Sequence, residues 1–136
     1  MRQLTSKWSD AHLRRTYDTT TAHLLVVAPT QREFAGLRPN RLGGFGVAEL
    51  GIGHAAADNL HDILKSRRPQ ILLSIGFGGA LLEGMRTGDV VVSTEAASVQ
   101  LPTQRISMHP ELTDEAMSAL VATGMTVTKG STLTVA

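Results

Sequence analysis

The sequence predicts an α/β fold with a mostly parallel sheet, and three observations carry the prediction. HLLVVA at 23–28, QILLSI at 70–75 and DVVVS at 89–93 are short continuous apolar runs, which read as buried strands. Segments with apolar residues at helical spacing lie between such runs, and strands alternating with helices imply a mostly parallel sheet. Glycine-bearing turns interrupt the pattern at 51–53 and 76–80.

Taken in order, residues 1–21 are polar, Thr-rich and weakly patterned, and read as an N-terminal extension or one short helix. Residues 22–136 read as the folded domain. After the first strand, Thr30 and Glu33 have capping-box spacing, which predicts a short helix to about Leu37. RPNRLGGF is a turn by its Pro, Asn and Gly content. VAEL at 47–50 is a short strand and GIG at 51–53 a turn. A helix from His54 to about Ser66 would bury Ala56, Leu60, Ile63 and Leu64. Lys65, Arg67 and Arg68 suit its negative C-terminal pole, and Pro69 stops it. QILLSI is expected to be a central strand, DVVVS another, and 96–110 an irregular connection. A second helix is expected from Thr113 to about Thr123, with Asp114 and Glu115 in its first turn and Met117, Leu120 and Val121 buried. Gly124 caps it, and MTVTKGSTLTVA reads as strand, turn or bulge at Lys129-Gly130, and strand.

Composition narrows the function classes. The chain has 136 residues, enough for one core, and 42% of them are hydrophobic against 18% charged. A net charge of +1 offers no broad field for nucleic acid or a membrane surface. Cysteine is absent, which removes disulfides, thiolate nucleophiles and Cys-ligated zinc. No apolar run reaches the roughly 18 residues of a spanning helix. A cytoplasmic location is expected. His12, His23, His54, His61 and His109 form no H-E-x-x-H motif, so no metal is expected. G-x-S-x-G is absent too.

Three places are candidate sites. Gly51 to Ala56 matches G-x-G-x-x-A between strand and helix, where free N–H groups favour an anion. A dinucleotide fingerprint also wants an acid about 20 positions later. Ser74-Ile75-Gly76 holds none, so no cofactor is expected. The second place is Gly76, Phe77, Gly78 and Gly79, beyond the carboxyl end of a strand, where open α/β sheets bind ligands. The third is Glu33, which reads equally as a cap partner and as a general base on that same rim.

HLLVVAPTQREFAGL, ELGIGHAAADNLHDIL and PQILLSIGFGGALLEGMRTGDVVVSTEA, in that order, resemble the N-terminal half of the nucleoside phosphorylase/nucleosidase superfamily. That group includes purine and uridine phosphorylases, methylthioadenosine/adenosylhomocysteine nucleosidase, futalosine hydrolase and hopanoid-associated phosphorylase-like proteins. The third block is the most specific: a strand, G-x-x-G-A/G-L, a spacer and G-D-V/I-V-V.

The resemblance implies a twisted mixed sheet with flanking helices, a homo-oligomer, and cleavage of the N-glycosidic bond of a purine nucleoside. It places Ser74 and Phe77 where the family's phosphorylases bind phosphate with an arginine and a small hydroxyl, which favours hydrolysis. Glu33 matches the water-activating acid with about one residue of slack, Arg32 being the competing alignment. Gly76, Gly78 and Gly79 match the turn; Gly53 and His54 join them as substrate-binding candidates, and Asp89 is expected to fix its own turn. The family's Met-Glu motif and base-protonating Asp do not occur in these residues. A chain holding only part of the site, weak or inactive alone, is therefore expected. The alternative is a non-catalytic nucleoside- or nucleotide-binding domain completed by a partner chain.

Overall fold

A computed structural model describes residues 23–35 and 45–135. The expected N-terminal extension and most of RPNRLGGF lie outside these residues. The chain divides into two compact units, Met1–Gly78 and Gly79–Ala136.

In the first unit, β1 (Leu24–Ala28) lies between β2 (Phe45–Glu49) and β3 (Ile71–Ser74), parallel to both. Continuous apolarity suits β1 because both of its faces are covered, and Leu25, Val26, Val27 and Ala28 are all buried. Leu25, Val27 and Ala48 form the core, against which Leu50, Leu60 and Ile63 pack. The last two come from α1 (His54–Arg67), one helical turn apart on the same stripe. Leu64, expected in that stripe, is exposed. Arg68 ends the helix in a left-handed conformation at φ 45°. Gln70 and Ile71 then both donate backbone N–H groups to the His23 carbonyl, setting β3 against the start of β1.

Among the described residues QILLSI ends this three-stranded sheet instead of taking its centre. β1 takes the middle, and Leu72 and Leu73 each remain 41% exposed. The Thr30 segment is a single 3₁₀ turn, Gln31–Phe34, rather than a longer helix.

In the second unit, β4 (Val90–Ser98) lies between β5 (Arg105–Ser107), antiparallel to it, and β6 (Val127–Thr134), parallel to it. Mixed pairing of this kind is what the resemblance implied. The region expected to be irregular from residue 96 instead continues β4 and returns as β5, with Arg105 and Glu95 ion-paired across the two strands. The final segment is one strand, and the irregularity sits on its partner. Pairing steps from Ser93↔Gly130 to Glu95↔Ser131, so Thr94 is the extra residue of a β-bulge. Its hydroxyl donates to the Gly130 carbonyl at 3.1 Å, occupying an acceptor beside the bulge.

Helix α2 (Pro110–Ala122) begins three residues earlier than expected. Pro110 suits the first turn because its missing N–H is one a helix start leaves unpaired. Glu111, rather than Asp114 and Glu115, is the first-turn acid. Met117 and Leu120 are half-buried while Val121 is exposed. Asp89 closes its turn by accepting from the Arg86 N–H at 2.8 Å and donating its own N–H back to the Arg86 carbonyl.

Candidate functional site

The carboxyl ends of β1 and β2 converge in the first unit, and the ladder between them continues past both strands. The Leu50 N–H donates to the Ala28 carbonyl at 2.8 Å, and the Gly51 N–H to the Pro29 carbonyl at 3.0 Å. The Asn59 amide, from α1, donates to the Leu50 carbonyl at 2.7 Å. On the other side the Ile75 N–H donates to the Val27 carbonyl at 2.9 Å. The rim is therefore held by hydrogen bonds from three elements, which fixes Cα positions to which functional side chains can be attached.

A cleft of about 510 Å³ opens on this rim. Among the described residues it is lined by Thr30, Gln31, Arg32, Glu33, Glu49 and Phe77. Of the candidates read from sequence, the structure brings Glu33 and Phe77 together here. Gly53 and His54 do not line this cleft; they sit at the start of α1, Gly53 as its N-cap with φ 72° and His54 as its exposed first residue. Gly76 faces Pro29, whose Cδ lies 3.7 Å from where a Cβ would stand, an ordinary contact. A Cβ on Gly78 would meet nothing within 4 Å. Local crowding therefore does not demand glycine at either position. Gly79 belongs to the second unit.

Glu33 has the best-defined surroundings. Thr30 is extended, at φ −136° and ψ 169°, and its hydroxyl oxygen accepts from the Arg32 N–H at 3.3 Å. The same hydroxyl donates to Oε2 of Glu33 at 2.5 Å, and the Thr30 N–H donates to that oxygen at 3.1 Å. The capping box expected from the sequence is thus formed. Its consequence is electrostatic. The Thr30 hydroxyl holds the Glu33 carboxyl below its ordinary range, against an opposing contribution from partial burial. Backbone N–H groups and the Arg32 charge add to the lowering. Glu33 stays ionised, with Oε2 engaged by Thr30.

Phe77 is 82% exposed, an apolar ring presented beside charged groups. Glu49 and Gln31 are the cleft residues that the sequence reading missed. Glu49 ends β2 opposite Ala28, and no local motif marks such a position. Among the described residues no group of three or more His, Asp or Glu could hold a metal. No helix among them is long and apolar enough to cross a membrane.

No curated protein matches this chain. The family model described as Phosphorylase superfamily matches residues 43–136, well over half of the sequence. Glu49, Gly53, His54 and the 76–79 turn fall inside that match, whereas β1 and Glu33 precede it.

Proposed function

The chain belongs to the phosphorylase superfamily, and we propose that it acts on a purine nucleoside by hydrolysing the N-glycosidic bond. The observation that carries the choice of water over phosphate is the charge of the cleft. Among the described residues the lining holds two carboxylates, Glu33 and Glu49, and one guanidinium, Arg32, a net charge of one negative. Such a lining repels a phosphate dianion and favours the positive charge that develops on a sugar as its bond to the base breaks. Position 77 adds to this, because a phenyl ring offers phosphate no hydrogen-bond donor.

In this reading Glu33 is the base. Its Oε1 accepts a proton from a water whose oxygen bonds to the anomeric carbon. The C–N electron pair leaves with the nucleobase, which takes up one proton, so that a free sugar and a free base result. The Phe77 ring supplies a flat apolar surface for the nucleobase. Gly76 and Gly78 keep the adjoining backbone accessible, and the start of α1 at Gly53 and His54 offers N–H groups to a polar substituent.

Free-base release is the test, measured by chromatography from methylthioadenosine, adenosylhomocysteine, futalosine and inosine, each with and without phosphate. Release that does not depend on phosphate is expected. Glu33→Gln should then lower kcat by about 10²- to 10⁴-fold, the usual contribution of general-base catalysis. Release that requires phosphate would replace hydrolysis with phosphorolysis and reassign Arg32 as the anion's partner. Binding without release would leave a nucleoside-binding domain.

A further inference from the structure

We propose that Asn59, on α1, is a positioning residue for Glu33 and acts through a relay of hydrogen bonds that crosses two peptide units. Its catalytic consequence rests on the reading of Glu33 as the base, whereas the relay itself does not.

The links run along the rim. The Asn59 side-chain amide donates to the Leu50 carbonyl at 2.7 Å. The N–H of that same peptide unit, carried by Gly51, donates to the Pro29 carbonyl at 3.0 Å. The N–H of this second unit, carried by Thr30, donates to Oε2 of Glu33 at 3.1 Å. Every bond therefore points the same way, from the asparagine amide toward the carboxylate. A peptide unit is planar and conjugated, so a donor at its oxygen strengthens the N–H at its other end. The last acceptor is an anion, which gains from each polarised link before it. Leu50, Gly51, Pro29, Thr30 and Glu33 are all half-buried, where water screens these dipoles less than at the surface.

The placement of Asn59 supports this use. Asparagine is a poor residue inside a helix, because its amide competes for backbone groups. Here that amide bonds a carbonyl outside the helix, nine residues earlier. Leu60 and Ile63 on the same helix pack against the core, so apolar burial fixes where the amide stands. Gly51 takes φ 84° where β2 turns toward α1, and the Asn59 amide nitrogen lies 3.8 Å from where its Cβ would stand.

The experiment follows the Glu33 carboxyl resonance through a pH titration in the wild-type chain, Asn59→Leu, Asn59→Ala and Ser66→Ala. Leucine and alanine favour a helix more than asparagine does, so α1 is retained. Ser66 also bonds a carbonyl from α1, that of Ile63, but stands outside the relay. In both Asn59 variants the Glu33 midpoint should rise toward the ordinary glutamate value, because weaker donors hold the anion less firmly. Ser66→Ala should leave it in place. In the unaltered protein, through-hydrogen-bond couplings should join the Asn59 side-chain nitrogen to the Leu50 carbonyl carbon and the Gly51 nitrogen to the Pro29 carbonyl carbon, beside those of the β1–β2 ladder. Ladder couplings without these two, an unmoved midpoint in the Asn59 variants, or an equal rise in Ser66→Ala overturns the proposal. Free-base release supplies the catalytic readout. Asn59→Leu should lower kcat about 10-fold, less than the roughly 10²-fold that a 1 Å misplacement can cost. In a Glu33→Gln background the same change should alter kcat by less than about 2-fold, because the residue it acts through is gone. An equal loss in both backgrounds marks a general structural role and overturns the proposal. No release from the wild-type chain overturns Glu33 as the base and leaves the titration to decide Asn59.

Discussion

At Glu33 the cap and the proposed chemistry draw on the same carboxylate. The cap needs an anion at Oε2, and a base needs an ionised oxygen at Oε1, so the two uses agree on charge. They differ in strength, because each hydrogen bond that holds the anion makes it a weaker base. The sign for stability follows from the lowered pKa: the contribution of Glu33 is present above the ordinary glutamate range and is lost as pH falls through the lower folded value. The acid limb of kcat/KM should therefore lie below about pH 4.3, the ordinary glutamate value. Thr30→Val tests this directly. Valine keeps the extended backbone of Thr30 but removes the hydroxyl that accepts from Arg32 and donates to Glu33. Loss of such a cap typically costs about 1 kcal/mol. The Glu33 carboxyl resonance should titrate at higher pH in the variant, and the acid limb should move up with it. An unchanged titration would mean that the Thr30 hydroxyl does not set the charge of Glu33.

Among the elements, those whose cause is local were legible in the sequence. The capping box and the continuous apolarity of β1 depend on residues a few positions apart, and each was read correctly; the stripe expected on α1 is met only in part, with Leu60 and Ile63 packed against the core and Leu64 exposed. What escaped depends on partners distant in sequence. β3 and β1 are equally apolar, so only pairing shows that β1 lies between β2 and β3. The β4–β5 hairpin was missed because its strands carry arginine, serine and glutamate rather than an apolar run. The site divides in the same way: Glu33 was marked by its spacing from Thr30, whereas Glu49 becomes visible only once β2 is paired to β1. One locally determined feature gives a sharp expectation. Gly53 caps α1 at φ 72° and ψ −151°, a conformation essentially restricted to glycine, and a Cβ there would meet nothing within 4 Å. The cost of Gly53→Ala is then conformational rather than steric, about 1–3 kcal/mol. Urea unfolding should show a lower midpoint with an unchanged slope. A midpoint within error of wild type would show that the α1 start relaxes to another conformation.

At the scale of the whole molecule, burial is unevenly divided between the two units. In the first, β1 is paired along both edges and covered on both faces, and its residues Leu25 to Ala28 are at most 5% exposed. In the second, β4 is also paired on both edges, yet Val91 on β4, Leu133 on β6 and Val121 on α2 remain between 44% and 56% exposed. Hydrophobic stabilisation follows the area removed from water, so backbone pairing of similar extent rests on weaker packing in the second unit. Local opening free energies should reflect that difference, because cooperative units open according to their own packing. Native-state hydrogen exchange in low urea measures it residue by residue. The amides of Val26, Val27 and Ala28 should be the slowest and should open only with global unfolding. Those of β4 and β6 should exchange faster, through a smaller opening with a shallower urea dependence. If the two sets share one free energy and one slope, the units unfold as a single cooperative block and the packing difference has no energetic consequence. If they separate as expected, the rim bearing Glu33 and Glu49 belongs to the more stable unit, as a preorganised site requires.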